Sequence, residues 1–519
     1  MSTAGRLISG TAAAWTRIII TMIFQVVLVP IYLTYWSPEI YGVWIAIQSL
    51  IIMLTLLDLG HHTYVGYELL RLARIDMVTF CRYLWSALLI GLFVAAFELL
   101  LIQILIQFAF VPFLIGESNS INSSLISDAN KVLFLVGVNW VGTSAFTGFF
   151  VRSLEAFGQY ARLAWWGVLH LIFSQSLPAI AVILGADFLQ AGAIYAIGSI
   201  IFYVPIYYDM FRLMKRERIA FIKPSWKVGL TNFAKSTAIT GKIILENLRQ
   251  QGVRLVLAPV AGAVGLAAFS TMRTGANVAL QGLNSITNPL MPDLMRFLHE
   301  RDQVRIEAGF STIWIVVVGL ISPGVIVLQA MIAPLFELWT HGRIQFDPLL
   351  FAFLSLSVLI FAIAQPAIAV VTGNNLMRPQ LVMSCLSAVI VVGLVVGLVP
   401  IFGLPGAGLA IVASETAAVV GYVIIARTWL VSKELRWPAR SFNKATISII
   451  VSAATMIAIA LFPKFTYLLA FIGIMLCMGN FYSYYKSLPP DVRTRFRQVV
   501  FNLIRKGKGM LSTVTGRKK

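Results

Sequence analysis

Acidic side chains are scarce in this chain, and charge of either sign is thin. Asp and Glu number 21 against 40 Lys and Arg in 519 residues, and the four charged types make up only 12%. A soluble globular domain carries about 25%. Together with 59% hydrophobic residues and a mean hydropathy of +0.86, this excludes a set of water-soluble domains and points to an integral membrane protein. Cysteine is also nearly missing. Cys81, Cys385 and Cys477 have no metal-ligand spacing and each falls in or beside an apolar segment, so core packing is expected of them and no metal or redox role. No G-x-x-x-x-G-K-[ST] loop occurs; Gly241-Lys242-Ile243 lacks both the loop and the hydroxyl, which excludes P-loop ATP hydrolysis. His299-Glu300 lacks a second histidine at metal spacing, and there is no G-x-S-x-G. The carboxylates are scattered, with no pair suited to glycosyl transfer. Neither an enzyme active site nor a cofactor is expected. A cleaved signal is not expected either, because Ala12–Ala14 precedes the first apolar run where a cleavage site would follow it.

What the chain does have is apolar runs of roughly twenty residues, each long enough to cross a bilayer. They alternate too little and run too long for barrel strands, so helices are expected. Fourteen spans are placed near 15–35, 42–66, 83–112, 131–151, 163–184, 190–210, 232–258, 265–291, 309–333, 348–372, 380–401, 406–428, 445–462 and 466–485. The fold class is therefore all-α and polytopic. Alternate loops on one side hold twenty Lys and Arg, from Arg71 and Arg74 through Lys215 and Lys223 to Arg440 and Lys444; the other side holds Lys131, Arg343 and Lys464. Positive charge favours the cytoplasm, which places both termini there. Basic loops of this kind account for much of the +19 net charge, so no nucleic-acid partner is inferred. The tail 486–519 interleaves Val492, Phe496, Val499, Leu503 and Ile504 with Arg493, Arg495, Arg497, Arg505 and Lys506. It reads as a helix on anionic lipid, with protein docking as the alternative.

The polar residues are concentrated in two hairpins. Lys235, Lys242, Glu246 and Arg249 share one face within roughly 60°, with Arg254 to one side; Ser270, Arg273, Asn277, Gln281, Asn284 and Asn288 form a stripe of roughly 80° on the next helix. Ala258 to Gly265 is expected to be the turn between them. The first helix carries Arg17, Thr21 and Gln25 at i, i+4 and i+8, and the second carries Gln48, Thr55, Asp58 and His62. Glu98 and Glu415 lie in helices three and twelve. A charge at the bilayer centre costs about 2.5–3.5 kcal/mol on insertion scales. The arginines should therefore face water, a counter-ion or a bound anion. Arg249 and Arg273 line a substrate cavity, or else pair with Glu246 or Asp58. Lys235 and Arg254 can also snorkel to the surface, and the stripe of amides can be helix–helix glue. Asp58 is a cap or arginine partner, or a proton carrier; His62 is a packed histidine or a switch; Glu415 is a candidate ion site. A tight turn ends at Gly42 in the first hairpin and at Gly265 in the other, which suggests an internal repeat.

The stretch Pro30-Ile-Tyr-Leu-Thr-Tyr-Trp-Ser-Pro-Glu-Ile-Tyr-Gly42-Val-Trp44, with Leu-Leu-Asp58-Leu-Gly60 after it, resembles the polysaccharide-transporter branch of the multidrug/oligosaccharidyl-lipid/polysaccharide exporter superfamily. Gly403-Leu-Pro-Gly406-Ala-Gly408, followed by Ala-Ile-Val-Ala-Ser-Glu415, is similar to that family's turn into helix twelve. The resemblance implies two pseudo-symmetric six-helix lobes forming a V, at 1–228 and 229–430, with two added helices at 431–485 and the basic tail at 486–519. It implies a cavity lined by helices one, two, seven and eight, the helices that carry the polar stripes.

It further implies a flippase in a bacterial inner membrane, moving an undecaprenyl-diphosphate-linked oligosaccharide to the periplasmic leaflet for O-antigen-type or exopolysaccharide synthesis. The cavity residues are then Arg17, Gln25, Lys242, Arg249, Arg254, Arg273, Asn277, Gln281 and Asn284, since guanidinium forks match diphosphate oxygens and amides suit sugar hydroxyls. Asp58, Glu246 and Glu415 are the candidates for coupling or ion pairing. Membrane lipids are partners, and a polysaccharide polymerase and other assembly proteins are candidate partners. Arg254 stands near a helix-seven position that is acidic in many relatives, so cation coupling is not carried over with the resemblance. A cation-coupled small-molecule or multidrug antiporter, a lipid II flippase, and a membrane enzyme or receptor are the other readings.

Overall fold

The computed structural model describes residues 3–116, 123–248, 252–488 and 493–494. The basic tail from Leu503 to Lys506, most of its apolar and basic partners, and Arg249 lie outside the described residues. Among those described there is no strand. The first seven helices are α1 Thr3–Tyr35, α2 Pro38–Leu54, α3 Leu56–Leu72, α4 Met77–Gln107, α5 Phe110–Ile115, α6 Ser123–Trp140 and α7 Thr147–Glu155. They are followed by α8 Tyr160–Ile183, α9 Phe188–Arg216, α10 Trp226–Asn247, α11 Val253–Glu300, α12 Gln303–Val316 and α13 Ser322–Thr340. The last five are α14 Pro348–Gly373, α15 Met377–Phe402, α16 Leu404–Ser432, α17 Ala439–Leu461 and α18 Thr466–Ser487. Among the described residues, thirteen helical segments are long and apolar enough to cross a membrane, so the chain is a multi-pass membrane protein. The expected seventh span is not among the thirteen. It corresponds to α10, whose Lys227, Lys235, Lys242 and Glu246 dilute its apolar character.

Local chemistry explains where helices start. Ser37 accepts from Ile40 N at 3.3 Å and Pro38 occupies the first turn, where a missing N–H costs nothing. Asp187 and Gln190 form a reciprocal capping box at the head of α9. Asp76 caps α4 through Thr79 N at 3.0 Å.

Several spans are broken where the sequence suggested continuity. The second is interrupted at Thr55, between α2 and α3. The fourth contains a π-helical turn at Val141–Ala145, and the ninth contains one at Val317–Ile321. The turn expected at 258–265 is present as a kink. α11 runs from Val253 to Glu300 with a single non-helical residue, Gly262, at φ 73° and ψ 174°, inside that stretch. Gly265 is helical; the left-handed conformation that only glycine adopts cheaply falls at Gly262.

The chain forms two compact units. Unit 1 comprises Met1–Gly275, Pro334–Leu350 and Ser384–Ala410; unit 2 comprises Ala276–Ala333, Phe351–Met383 and Ile411–Lys519. In unit 1, α1 lies along α8, α10 along α3, and a core of Val65, Phe80, Leu84, Phe149, Leu154 and Leu213 is sealed from solvent. In unit 2 the core gathers around Phe310 and Trp314, with Trp437 and Phe442 packed edge-on against them at 5.5–5.6 Å. Arg427 covers the faces of Trp437 and Phe442 at 5.6 and 5.8 Å. Cys81 and Cys477 are buried as expected. Cys385 is exposed on α15, outside the core packing expected of it.

Candidate functional site

Unit 1 holds most of the charged candidates, and an aromatic cluster packs the first hairpin, which carries Arg17 and Asp58. Tyr32 stacks on Trp36 at 5.0 Å and on Tyr41 at 5.9 Å. Trp36 and Trp44 both meet Phe188, and Trp44 also meets Tyr195. Four of the five aromatics of the 30–44 stretch, Tyr32, Trp36, Tyr41 and Trp44, are therefore buried packing residues, while Tyr35 is exposed. Gly42 lies among them because another backbone occupies the space beside it. A Cβ there would stand 1.9 Å from the Ala263 carbonyl oxygen, next to the Gly262 kink. Lower on the same span, a Cβ on Gly60 would meet Thr240 Cα of α10 at 2.5 Å. The first and second hairpins thus touch backbone to backbone at two levels.

Proline and the π-turn leave carbonyl groups to satisfy. Pro30 lacks the N–H that would bond to Val26 O, and the indole of Trp339 donates to that oxygen instead, at 2.7 Å. At the π-turn, Tyr207 OH donates to Gly142 O at 3.0 Å and His62 Nε2 lies 2.9 Å from Ala145 O. His62 is buried with its ring edge-on to Phe149 at 4.3 Å, a packed histidine.

Three polar groups lie within this frame. In the first, Arg17 on α1 is exposed and sits within electrostatic range of His170 on α8 and Tyr203 on α9. Its neighbour Thr21 turns back to bond to Arg17 O at 2.8 Å, and Gln25 is half-buried one turn further on. In the second, the half-buried Arg254 on α11 faces the buried Tyr41, whose hydroxyl also faces Thr271. Arg273 lies nineteen residues further along α11, past the Gly262 kink, its guanidinium over the Phe269 ring at 5.8 Å. In the third, Asp58 on α3 and Glu98 on α4 come together beside Trp140 of α6.

Other candidates sit elsewhere. Lys242 Nζ pairs with Glu246 at 3.7 Å, one turn along α10. Ser270 and Arg273 belong to unit 1, while Asn277, Gln281 and Asn284 continue the stripe into unit 2. Asn277 and Gln281 are half-buried there; Asn284 is helical and its side chain lies outside the described residues. Glu415 is half-buried on α16 in unit 2. Arg17 and Arg254 belong to different groups. Sequence reasoning missed the Asp58–Glu98 meeting and the part of Trp140 in it. An acid inside an apolar run was the available signal for Glu98; an indole in such a run gives none. Among the described residues no three His, Cys, Asp or Glu side chains cluster as metal ligands.

No family model matches the chain, and no curated protein matches it in sequence. Its fold, however, is that of solved transporters. A lipid II flippase, MurJ, in an inward closed conformation superposes with a TM-score of 0.64 over 92% of this chain and 99% of that one, at 12% identity. An inward-facing multidrug resistance MATE family transporter of the MOP superfamily gives 0.61 over 79% and 95%, at 13% identity. A Vibrio cholerae MATE transporter, VcmN, gives 0.52 over 83% and 97%, at 17% identity. At such identities the likeness is one of fold: the chain is an all-α, multi-pass membrane protein with the architecture of the MurJ and MATE transporters.

Proposed function

We propose that this chain is a flippase for a polyprenyl-diphosphate-linked oligosaccharide in surface polysaccharide synthesis, not an enzyme. The observation that carries the proposal is the placing of three guanidinium groups, Arg17, Arg254 and Arg273, within the spanning helices of one compact unit. Cations at that depth are costly unless they serve an anion or water, and a diphosphate-sugar headgroup is a large anion that cannot cross hydrocarbon unaided. Arginine forks suit its phosphate oxygens, and Gln25, Asn277, Gln281 and Asn284 suit its hydroxyls. The transporter fold and the resemblance of the 30–60 and 403–415 stretches support the same reading. The bacterial inner membrane, cytoplasmic termini, two lobes divided at 228 and rocking to alternate access, and a neighbouring polymerase belong to this proposal.

Two specific observations favour other readings. The MurJ fold matches nearly the whole of both chains, which favours a lipid II flippase, and the MATE likeness favours a cation-coupled drug antiporter. Removing the protein from its host and identifying what accumulates separates the three. A lipid-linked oligosaccharide retained on the inner leaflet is the expected result. Accumulated lipid II with loss of wall synthesis, or drug sensitivity with normal glycan export, would replace it.

A further inference from the structure

The carboxyl groups of Asp58 and Glu98 meet inside unit 1, and the proposed cargo uses neither. Asp58 is 1% exposed and Glu98 2%. Trp140 Nε1 donates to Asp58 Oδ2 at 3.3 Å. Glu98 faces both Asp58 and that indole, yet neither of its oxygens has a partner in hydrogen-bond geometry. The elements packed around the pair bring no cation to it among the described residues. On α3, His62 is committed to Ala145 O and His61 lies between the rings of Phe149 and Phe233, each at 5.4 Å. On α7, Arg152 pairs with Glu155 at 2.9 Å. On α10, Lys242 pairs with Glu246 and Lys235 is exposed.

Two carboxylates facing each other away from water repel strongly, and neither regains its lost hydration. One proton relieves both costs, because the protonated carboxyl becomes a donor and the other remains its acceptor. We infer that Asp58 and Glu98 form a single binding site for one proton, shared between α3 and α4.

The surroundings give that proton mechanical leverage. Asp58 follows the Thr55 break by three residues, and Trp140 immediately precedes the π-turn at Val141–Ala145. Helix interruptions of this kind recur at functional sites. Losing the proton leaves two like charges that drive α3 away from α4. Two residues along from Asp58, Gly60 abuts Thr240 of α10, so α3 cannot shift without disturbing that close backbone contact. Proton occupancy therefore sets how α3 packs, whichever cargo the protein carries.

The test uses the full-length protein in lipid nanodiscs without cargo. Dicyclohexylcarbodiimide attacks protonated carboxyls in apolar surroundings. It should label Asp58 or Glu98, one adduct per chain, at near-neutral pH, with labelling falling about tenfold or more as alkali removes the proton. Infrared spectra should show a protonated-carboxyl stretch that is lost in Asp58→Asn/Glu98→Gln and is indifferent to sodium at constant pH. Absence of labelling at both residues, an unchanged stretch in the double variant, or its removal by sodium at constant pH would overturn the inference; the last would make the pair a metal-cation site. Labelling is read on the unaltered protein, so it decides even if the variant misfolds. Because neither readout involves transport, failure here is distinct from failure of the flippase proposal.

Discussion

Gly42 and Ala263 touch through their backbones: a Cβ on the glycine would stand 1.9 Å from the alanine's carbonyl oxygen and 2.5 Å from its carbonyl carbon. No side-chain rotation relieves such a clash, because the obstruction is main chain. Gly42→Ala should therefore push α2 off the Gly262 kink at a cost of about 1–3 kcal/mol, read as a lowered unfolding midpoint in detergent. Gly241→Ala is the control. A Cβ there meets nothing within 4 Å, and alanine is the better helix former, so the midpoint should hold or rise.

Arg162 and Asp209 give a second prediction. The guanidinium holds the carboxylate bidentately, at 2.8 and 2.5 Å, and Trp166 Nε1 donates to the same group at 2.9 Å. Asp209 is 5% exposed, whereas half of the arginine side chain is open. Arg162→Ala leaves a buried carboxylate with one donor and should cost about 1–3 kcal/mol. The Arg162→Ala/Asp209→Asn double variant should recover most of that loss, since the stranded charge is gone. Equal melting of single and double variants would show that the pair is not coupled.

At the membrane surface, Asp76 should make the start of α4 sensitive to acid. Hydrogen bonds from the Thr79 hydroxyl and the Thr79 N–H hold its carboxyl below the usual aspartate range. A depressed folded value means that the cap's contribution is present above the ordinary aspartate value and is lost as pH falls through the lower one. Amide exchange at the first turn of α4 should quicken on that descent. In Asp76→Ala it should be fast at every pH.

For the cargo, Arg254→Ala and Arg273→Ala, together with Arg249→Ala and Arg17→Ala, should abolish glycan export while leaving membrane insertion intact. Lysine at the same positions separates charge from fork geometry. Partial export by the lysine variants is expected; full export would make bidentate contact unnecessary. Insertion is checked by the amount of protein in the membrane fraction, export by surface glycan.

The sequence made the membrane class, the all-α fold and nearly every span legible, because apolar runs of bilayer length leave few alternatives. It also exposed the 30–44 stretch, although the packing of Tyr32, Trp36, Tyr41 and Trp44 into one cluster needed the partners Phe188 and Tyr195 from another helix. The turn expected between Ala258 and Gly265 is there, but which of its two later glycines makes it was not legible. Gly262 and Gly265 are both compatible with a break, and only the Gly42 contact and the positive φ select the first. The Asp58–Glu98 pair was illegible because it depends on the rotation of α3 relative to α4, and the Thr55 break resets that rotation. The π-turn after Trp140 has no pattern that separates it from ordinary helix.

The central claim is that deep arginines carry an anionic lipid headgroup across the membrane. It is tested most directly by reconstituting the purified protein into liposomes containing a polyprenyl-diphosphate-linked oligosaccharide in both leaflets and following how much inner-leaflet glycan becomes accessible to an external glycosidase. The account predicts rapid exposure with the unaltered protein and background exposure with Arg254→Ala/Arg273→Ala. Equal exposure from the two proteins, or none above protein-free liposomes from either, would contradict it.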